Sequence, residues 1–497
     1  MGNPLKRIPT TNFILIGILA LALMPRLWLL TNVNRIGLGY DELQSVTHAN
    51  LPVVELLQSV KMHDPHPPLY YLQLHFWMYL GSSDFWLKSN SILWSVLTAV
   101  SLYVIARRIF DRRVAFLAGV FYSVSAFSIS YSVEVRMYAF LMFLGVWVYY
   151  FTHQFIKRRD MIWAGLGLLL TQLAFLYSHG AGFLIFASVL SYAILLVLFR
   201  EQDKVVNKNV LIYLGAIQLA IVFFYLPWLF RAKTIYLAHM LAPGLRNLAF
   251  TFAQLLFGTM IVLVEFQEYL LGFAIILMLL ISVVIFINRK SRSLAIAFIF
   301  VPMAVTLAIS YLVRPIWVTW TLAYIVPFIC LGMAVFGADI LSNISYTNIM
   351  TAKRLAGLLF VGVLFLISLA GLIYQQYNYA PWSHLKEAVG LVRQSADPSD
   401  IIFVPHYRVY WGVRWYYFGP GNFNPLEPDY LVSAQDGVRL VSTPELDTIT
   451  GDRLTYWIVY RTTDDIGTFF EDYDYVDRQI VGTFRNVVVE RVQTNEN

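Results

Sequence analysis

The sequence predicts a polytopic α-helical membrane domain followed by a small α/β domain. Three observations predict it. Apolar runs of roughly 18 or more residues, each long enough to cross a bilayer, recur over most of the 497-residue chain. Only 13% of the residues are charged and 58% are hydrophobic, against about 25% charged in soluble domains. The charge is also unevenly divided: residues 1–376 hold 26 Lys/Arg and 13 Asp/Glu, whereas residues 377–497 hold 10 and 17. The net charge of +6 therefore belongs to the membrane part and does not point to nucleic acid. The tail is acidic. The one cysteine, Cys330, lies inside an apolar run, which excludes an intrachain disulfide and a cysteine metal cluster.

The apolar runs divide into eleven spans, near 12–31, 89–106, 114–130, 137–156, 161–178, 181–199, 209–228, 269–287, 294–312, 321–341 and 355–374. The first is too long for a signal-peptide core and lacks a small-residue cleavage site, so it reads as retained. Positive clusters fall in alternate loops: Lys6/Arg7, Arg107/Arg108 with Arg112/Arg113, Lys157/Arg158/Arg159, Lys204/Lys208, Arg289/Lys290/Arg292 and Lys353/Arg354. The positive-inside rule makes these cytoplasmic. It predicts a multi-pass protein of the inner or plasma membrane with its N-terminus inside and its C-terminal domain outside. The loops 32–88, 131–136, 178–182, 229–268 and 314–320 then share the outer face with the tail.

The 32–88 loop is rich in aromatics and proline. Its segment "VVELLQSVKM" puts Val53, Leu56, Leu57 and Val60 on one helical face, which predicts short helices lying in the interface plane. In the tail, residues 377–497, "SHLKEAVGLVRQSADPSD" reads as an amphipathic helix ended by a proline turn. "IIFVP", "YWIVY" and "RNVVVERV" read as strands. Neither a glycine-rich phosphate loop nor an internal repeat occurs.

Charges at a membrane surface are costly, roughly 2.5–3.5 kcal/mol at a helix centre, so those that persist are candidates for chemistry. Asp41 and Glu42 follow the turn "GLGY" directly after the first span. On a helix, neighbours point about 100° apart, so one carboxylate is able to face a cavity while the other anchors the loop; a simple helix cap is the plainer alternative. In "SYSVEVRMYAF", Glu134 and Tyr138 share a helical face and Arg136 points elsewhere; an interfacial anchor is the alternative. In "MHDPHPPLYYLQLHFW", His63, Asp64 and His66 are weak candidates for a divalent metal. Three prolines forbid a regular helix there, and a stiff loop presenting His66 to a cavity is the stronger reading. His75 reads as a packed interfacial residue. His179 sits at an outer helix end beside Gly180 and Gly182, structural or functional.

The stretches "HPPLYYLQLHFW", "RRIFDRRVAFLAGVFYSVSAFSISYSVEVRMYAF" and "YSHGAGFLIF", in that order, resemble bacterial family 39-type glycosyltransferases of the GT-C fold. These are related to protein O-mannosyltransferases and aminoarabinose transferases. The resemblance implies an inverting transfer of a sugar from a polyprenyl-phosphate carrier to an acceptor hydroxyl on the outer side of the membrane. The acceptor is a lipid, a polysaccharide or a protein. The resemblance also implies that Asp41 is the catalytic base, with Glu42 beside it and Glu134 orienting sugar or acceptor. It maps the family's acidic segment onto Glu134–Tyr138 and its histidines onto His66 and His179; Tyr138 is a candidate at the donor phosphate, and His66, Tyr70 and His179 are candidates in the substrate cavity. Tyr71 and Trp77 are further candidates for the lipid entrance. Where such relatives often carry an Arg-Tyr pair near the tenth span, this chain has Trp320-Thr321, so the phosphate needs another cation; Arg136, Arg314 or a divalent metal are the options. The alternatives are a secondary transporter, which predicts internal symmetry, and a non-catalytic cell-envelope polymer assembly subunit. An asparagine-linked oligosaccharyltransferase predicts a Trp-Trp-Asp motif that the tail lacks.

Overall fold

The computed structural model describes residues 10–157, 160–199, 208–231, 243–258, 267–287, 289, 291–342, scattered residues between 355 and 374, and, in the tail, 384–398, 400–419, 439–441, 455–464 and 475–494. The first apolar run forms α1 (Thr10–Ile36). Three short helices follow: α2 (Tyr40–Ala49), α3 (Val53–His63) and α4 (Leu69–Met78). Pro52 precedes α3, and the prolines at 65, 67 and 68 separate α3 from α4, as fixed φ and missing N–H groups require. α3 leaves Val53, Val54, Leu57 and Met62 exposed but buries Leu56 and Val60, so the face expected to be one apolar surface is divided between packing and exposure.

α5 (Asp84–Ile109) runs through the bundle and packs against α1, α6 (Arg112–Val124) and α8 (Tyr138–Ile156). Ser83 and Asp111 cap α5 and α6 by accepting backbone N–H groups. Trp77 and Trp86 clamp α4 to the start of α5: their rings stack at 4.7 Å, and each indole N–H donates to the other's carbonyl. Trp77 is thus a packing residue rather than part of a lipid entrance.

α9 (Met161–Leu176), α10 (Leu184–Leu198), α11 (Lys208–Arg231) and α13 (Gln267–Ile287) follow, with α14 (Arg292–Leu312) and α15 (Val326–Ser342) closing the described bundle. Six described helices are long and apolar enough to cross a membrane, a seventh candidate is a bent pair, and three more are shorter apolar helices. The bent pair corrects the third expected span. α6 and α7 (Ala126–Ser132) meet at 58° around Ser125, the residue after the end of one helix, whose side chain caps the next. The tenth span opens as a 3-10 turn, Thr319–Ile325. α12 (Leu245–Phe257) lies where the sequence suggested only an outer loop; it packs against α13, α7 and that 3-10 turn. The expected eleventh span falls mostly, and the expected domain boundary at 376 wholly, outside the described residues; the residues described between 355 and 374 are helical.

The tail is a mixed sheet of order β2-β1-β3-β5-β4. β1 (Ile401–Phe403) runs parallel to β2 (Arg439–Val441) and β3 (Thr455–Arg461); β5 (Val487–Thr494) is antiparallel to β3 and to β4 (Tyr475–Phe484). α16 (Leu385–Ser395) buries Leu385, Ala388, Val389 and Val392 on one face, against the sheet. A short helix, α17 (Tyr407–Val413), packs against α2. The helix and three of the strands fall on the segments expected to form them.

Candidate active site

The short outer helices, the 133–137 corner and the α9–α10 turn converge at one end of the bundle. Glu42 is the first tie between them. It lies in the first turn of α2, and its Oε2 accepts the Gly39 N–H at 2.7 Å. Its Oε1 accepts the Val135 N–H at 2.8 Å and the Lys88 ammonium at 2.5 Å. Lys88 is fully buried and also donates to the Val133 carbonyl at 3.2 Å. Ser91, almost one turn further along α5, donates to the Glu134 carbonyl at 2.5 Å. A buried ammonium without its carboxylate would be strongly unfavourable. The pair therefore fixes α2, α5 and the corner in one arrangement. Glu42 has both oxygens engaged, so its part is structural support of the site, a correction to its reading as a catalytic group.

Asp41, one step along α2, leaves its side chain accessible. Its backbone carbonyl accepts from Arg136 Nη1 at 3.2 Å and from Ser45 Oγ at 3.1 Å. Arg136 Nη1 also donates to Ser45 Oγ at 3.1 Å. Arg136 is 6% exposed, and its Nε has no hydrogen-bond partner among the described residues. Burial opposes the guanidinium charge, but Tyr138, Tyr71, Asp41 and Asp64 around it more than offset that, and its pKa lies well above the usual value. The site thus holds a permanent, buried cation with an open donor.

Two histidines sit close to it. The His66 and His179 rings lie 4.4 Å apart, and His179 is 6.3 Å from the Tyr138 ring. The Gly180 N–H donates to His66 Nδ1 at 3.2 Å, and the Ala181 N–H donates to His179 Nδ1 at 3.0 Å. A backbone N–H only donates, so each Nδ1 is bare and each Nε2 carries the proton. Burial first, and then Arg136, lowers the His179 pKa to about 3. Burial, His179 and Arg136 together hold His66 well below the ordinary value. Both are neutral donors at physiological pH. His179 Nε2 has no hydrogen-bond partner among the described residues. Gly180 is needed for this approach: a Cβ there would lie 2.9 Å from the Pro65 carbonyl oxygen.

Glu134 is half-buried, and its carboxyl is pushed up to about 8 by burial and then by Glu42, with Lys88 opposing and Asp41 adding to the rise. At neutral pH it is a protonated donor.

The structure brings Asp41, Glu42, Glu134, Arg136 and Tyr138 together with His66, Tyr70 and His179. Arg314 stays apart. It is exposed after the end of α14, and no described contact joins it to Arg136 or Asp41. Trp320 is exposed and Thr321 is buried in the 3-10 turn, so neither replaces the missing cation. The metal candidates do not fit an ion. His63 is exposed with Nδ1 on the Ser59 carbonyl at 3.2 Å. Asp64 accepts the His66 N–H and the Gln44 amide. Among the described residues no group of three His, Cys, Asp or Glu side chains is placed to hold a metal. His75 is a packed residue, its Nδ1 donating to the Ala49 carbonyl at 2.7 Å.

Sequence reasoning passed over Lys88 and Ser91, which hold the corner, and Arg26. Arg26 is fully buried within α1 and donates to Ser95 Oγ, the Ala22 and Ser123 carbonyls and Ser128 Oγ at 2.7–3.0 Å. The signal was present: a lone basic residue inside or beside an apolar run is seldom idle.

Residues 65–230 match the family described as dolichyl-phosphate-mannose-protein mannosyltransferase. The fold is similar to that of ArnT from Cupriavidus metallidurans. With the form bound to undecaprenyl phosphate the TM-score is 0.57 at 12% identity, covering 98% of each chain. With the apo form it is 0.56 at 12%, covering 97% of this chain and 98% of that one. A looser likeness, TM-score 0.49 at 12% identity over 82% of this chain and 63% of the other, is to the oligosaccharyltransferase of Archaeoglobus fulgidus. No curated protein matches the sequence. The matched segment covers a third of the chain, and over nearly its whole length the chain shares the fold of ArnT.

Proposed function

We propose that the chain transfers a sugar from a polyprenyl-phosphate carrier to an acceptor hydroxyl, with inversion, at the outer face of the membrane. The observation that carries this reading is a buried Arg136 with an unpartnered Nε, close enough to His179, whose Nε2 is also unpartnered, and to the exposed Asp41 for their charges to act on one another. The carrier phosphate in such a donor bears one negative charge. As the sugar–oxygen bond breaks, that charge grows toward −2, because the second phosphate pKa is near 6. A preorganised cation stabilises the later state more than the earlier one. Arg136 supplies that cation, and the neutral His66 and His179 supply N–H donors without adding charge. Asp41 removes the acceptor proton as the hydroxyl attacks, a step that contributes roughly 10²–10⁴-fold. Attack from the side opposite the phosphate inverts the anomeric carbon. Glu134, protonated, hydrogen-bonds sugar or acceptor. Tyr138 and Tyr70 line the phosphate chamber. The undecaprenyl phosphate seen in the ArnT structure supports a carrier of that kind; lipid, polysaccharide and protein acceptors are all compatible with the site.

The test is Asp41→Asn, which keeps the side chain's shape and removes its basicity. Turnover of a polyprenyl-phosphate-linked sugar is expected to fall at least ~10²-fold with folding intact. Turnover close to wild type would remove Asp41 as the base.

A further inference from the structure

The C-terminal domain reaches the Asp41 turn. Residues Gly37, Leu38 and Gly39 join α1 to α2, and Gly37 has φ +89°, a conformation that favours glycine. A Cβ at Gly37 would lie 2.5 Å from the Tyr416 hydroxyl and 2.8 Å from Lys386 Cβ, so the tail is seated directly on the turn. Leu38 is fully buried, and its N–H donates to the Tyr416 hydroxyl at 2.6 Å. That hydroxyl lies 3.5 Å from Asp84 Oδ1, to which it donates. Lys386 Nζ donates to Asp84 Oδ2 at 2.7 Å and lies 5.9 Å from the Tyr416 ring centroid. Asp84 is the first residue of α5, the helix that carries Lys88 and Ser91. One phenol therefore touches the start of α2 and the start of α5 together.

We infer that Tyr416 is a positioning residue of the active site: its hydroxyl, supplied by the C-terminal domain, sets the entry of α2 and so the place of Asp41 and of the carbonyl that holds Arg136. A buried backbone N–H needs a partner, and none but the Tyr416 hydroxyl is described for Leu38. Three residues on, the Asp41 carbonyl holds Arg136 Nη1, so any loosening at Leu38 is passed to the phosphate chamber through one turn of backbone. The inference rests on the reading of Asp41 and Arg136 given above.

The experiment compares the full-length chain in nanodiscs with Tyr416→Phe and Lys386→Met. It follows amide hydrogen exchange over residues 37–45 and affinity for undecaprenyl phosphate. Tyr416→Phe is expected to speed exchange at the turn about 10-fold and to weaken undecaprenyl phosphate binding several-fold, while exchange in β3 and β5 stays at the wild-type rate. Lys386→Met, which keeps the stem and leaves the phenol in place, is expected to change exchange at the turn by less than about 3-fold. Unchanged exchange in Tyr416→Phe overturns the inference. So does faster exchange with unchanged affinity, or an equal effect from Lys386→Met. If the wild-type chain does not bind undecaprenyl phosphate at all, the reading of the donor fails, and the exchange comparison still decides whether the phenol holds the turn.

Discussion

Among the described residues of the membrane part three cations are buried, Lys88, Arg26 and Arg136, and each is distinguished by what it touches. Lys88 meets a carboxylate, Arg26 meets hydroxyls and carbonyls, and Arg136 meets a carbonyl and a hydroxyl with Nε left over. Arg136 is the one of these whose Nε is without a partner among the described residues. Glu134 gives the site its pH response. With its pKa at about 8, it is neutral below that pH and negative above it. A negative Glu134 beside Glu42 and Asp41 repels a phosphate, so donor affinity is expected to fall as pH rises through 8. In Glu134→Gln the side chain is neutral at every pH, and that fall should vanish while binding at pH 7 is largely kept. Measuring undecaprenyl phosphate binding between pH 6 and 9 in both proteins checks this; parallel curves would contradict it. Asp41, Glu134, Arg136 and His179 stood out in the sequence because charges and imidazoles are rare at a membrane surface. The division of labour between Asp41 and Glu42 did not. It depends on Lys88 arriving from α5, a contact 46 residues away in sequence.

At the scale of elements, the bundle depends on polar contacts where a helix breaks. α6 ends at Ser125 with a 58° bend, and the exposed carbonyl end is met by Arg26, which bonds the Ser123 carbonyl and Ser128 Oγ on either side of the break and Ser95 on α5. Arg26→Met would fill the volume and leave those groups without a donor. A loss of about 1–3 kcal/mol is expected, seen as a lower thermal midpoint in detergent, with affinity for undecaprenyl phosphate unchanged at temperatures where the protein is folded. An unchanged midpoint would show that Arg26 does not hold the break. Apolar run length made the spans legible, because a bilayer sets a minimum length that composition alone satisfies. The bend at Ser125 and helix α12 were not legible in that way. A serine-rich apolar run has the same hydropathy straight or broken, and α12 buries Ala249, Thr251, Ala253 and Leu255 against neighbours that only the fold supplies.

For the whole molecule, the site-bearing loops and the C-terminal domain lie at the same end of the bundle, joined through Leu38, Tyr416, Asp84 and Lys386. The alternation of basic loops predicts that this end lies outside the cytoplasm. The native Cys330 is buried, so introduced cysteines report without interference. A membrane-impermeant maleimide is expected to label Lys61→Cys in intact cells and to leave Arg112→Cys unlabelled until the membrane is opened; the reverse pattern would invert the topology. The expected α/β tail and helical membrane domain were readable from charge partition and periodicity. The way the tail reaches the Asp41 turn was not, because it rests on one phenol among many tyrosines and on the single lysine of an acidic domain, and nothing in their local sequence points to α2 or α5.

The most direct test is a density map of the full-length chain with undecaprenyl phosphate in lipid. The account predicts the phosphate within hydrogen-bond distance of Arg136 Nε and His179 Nε2, with the Asp41 carboxylate facing the same space. A phosphate bound at Arg314, or protein side chains filling the chamber around Arg136, would contradict it.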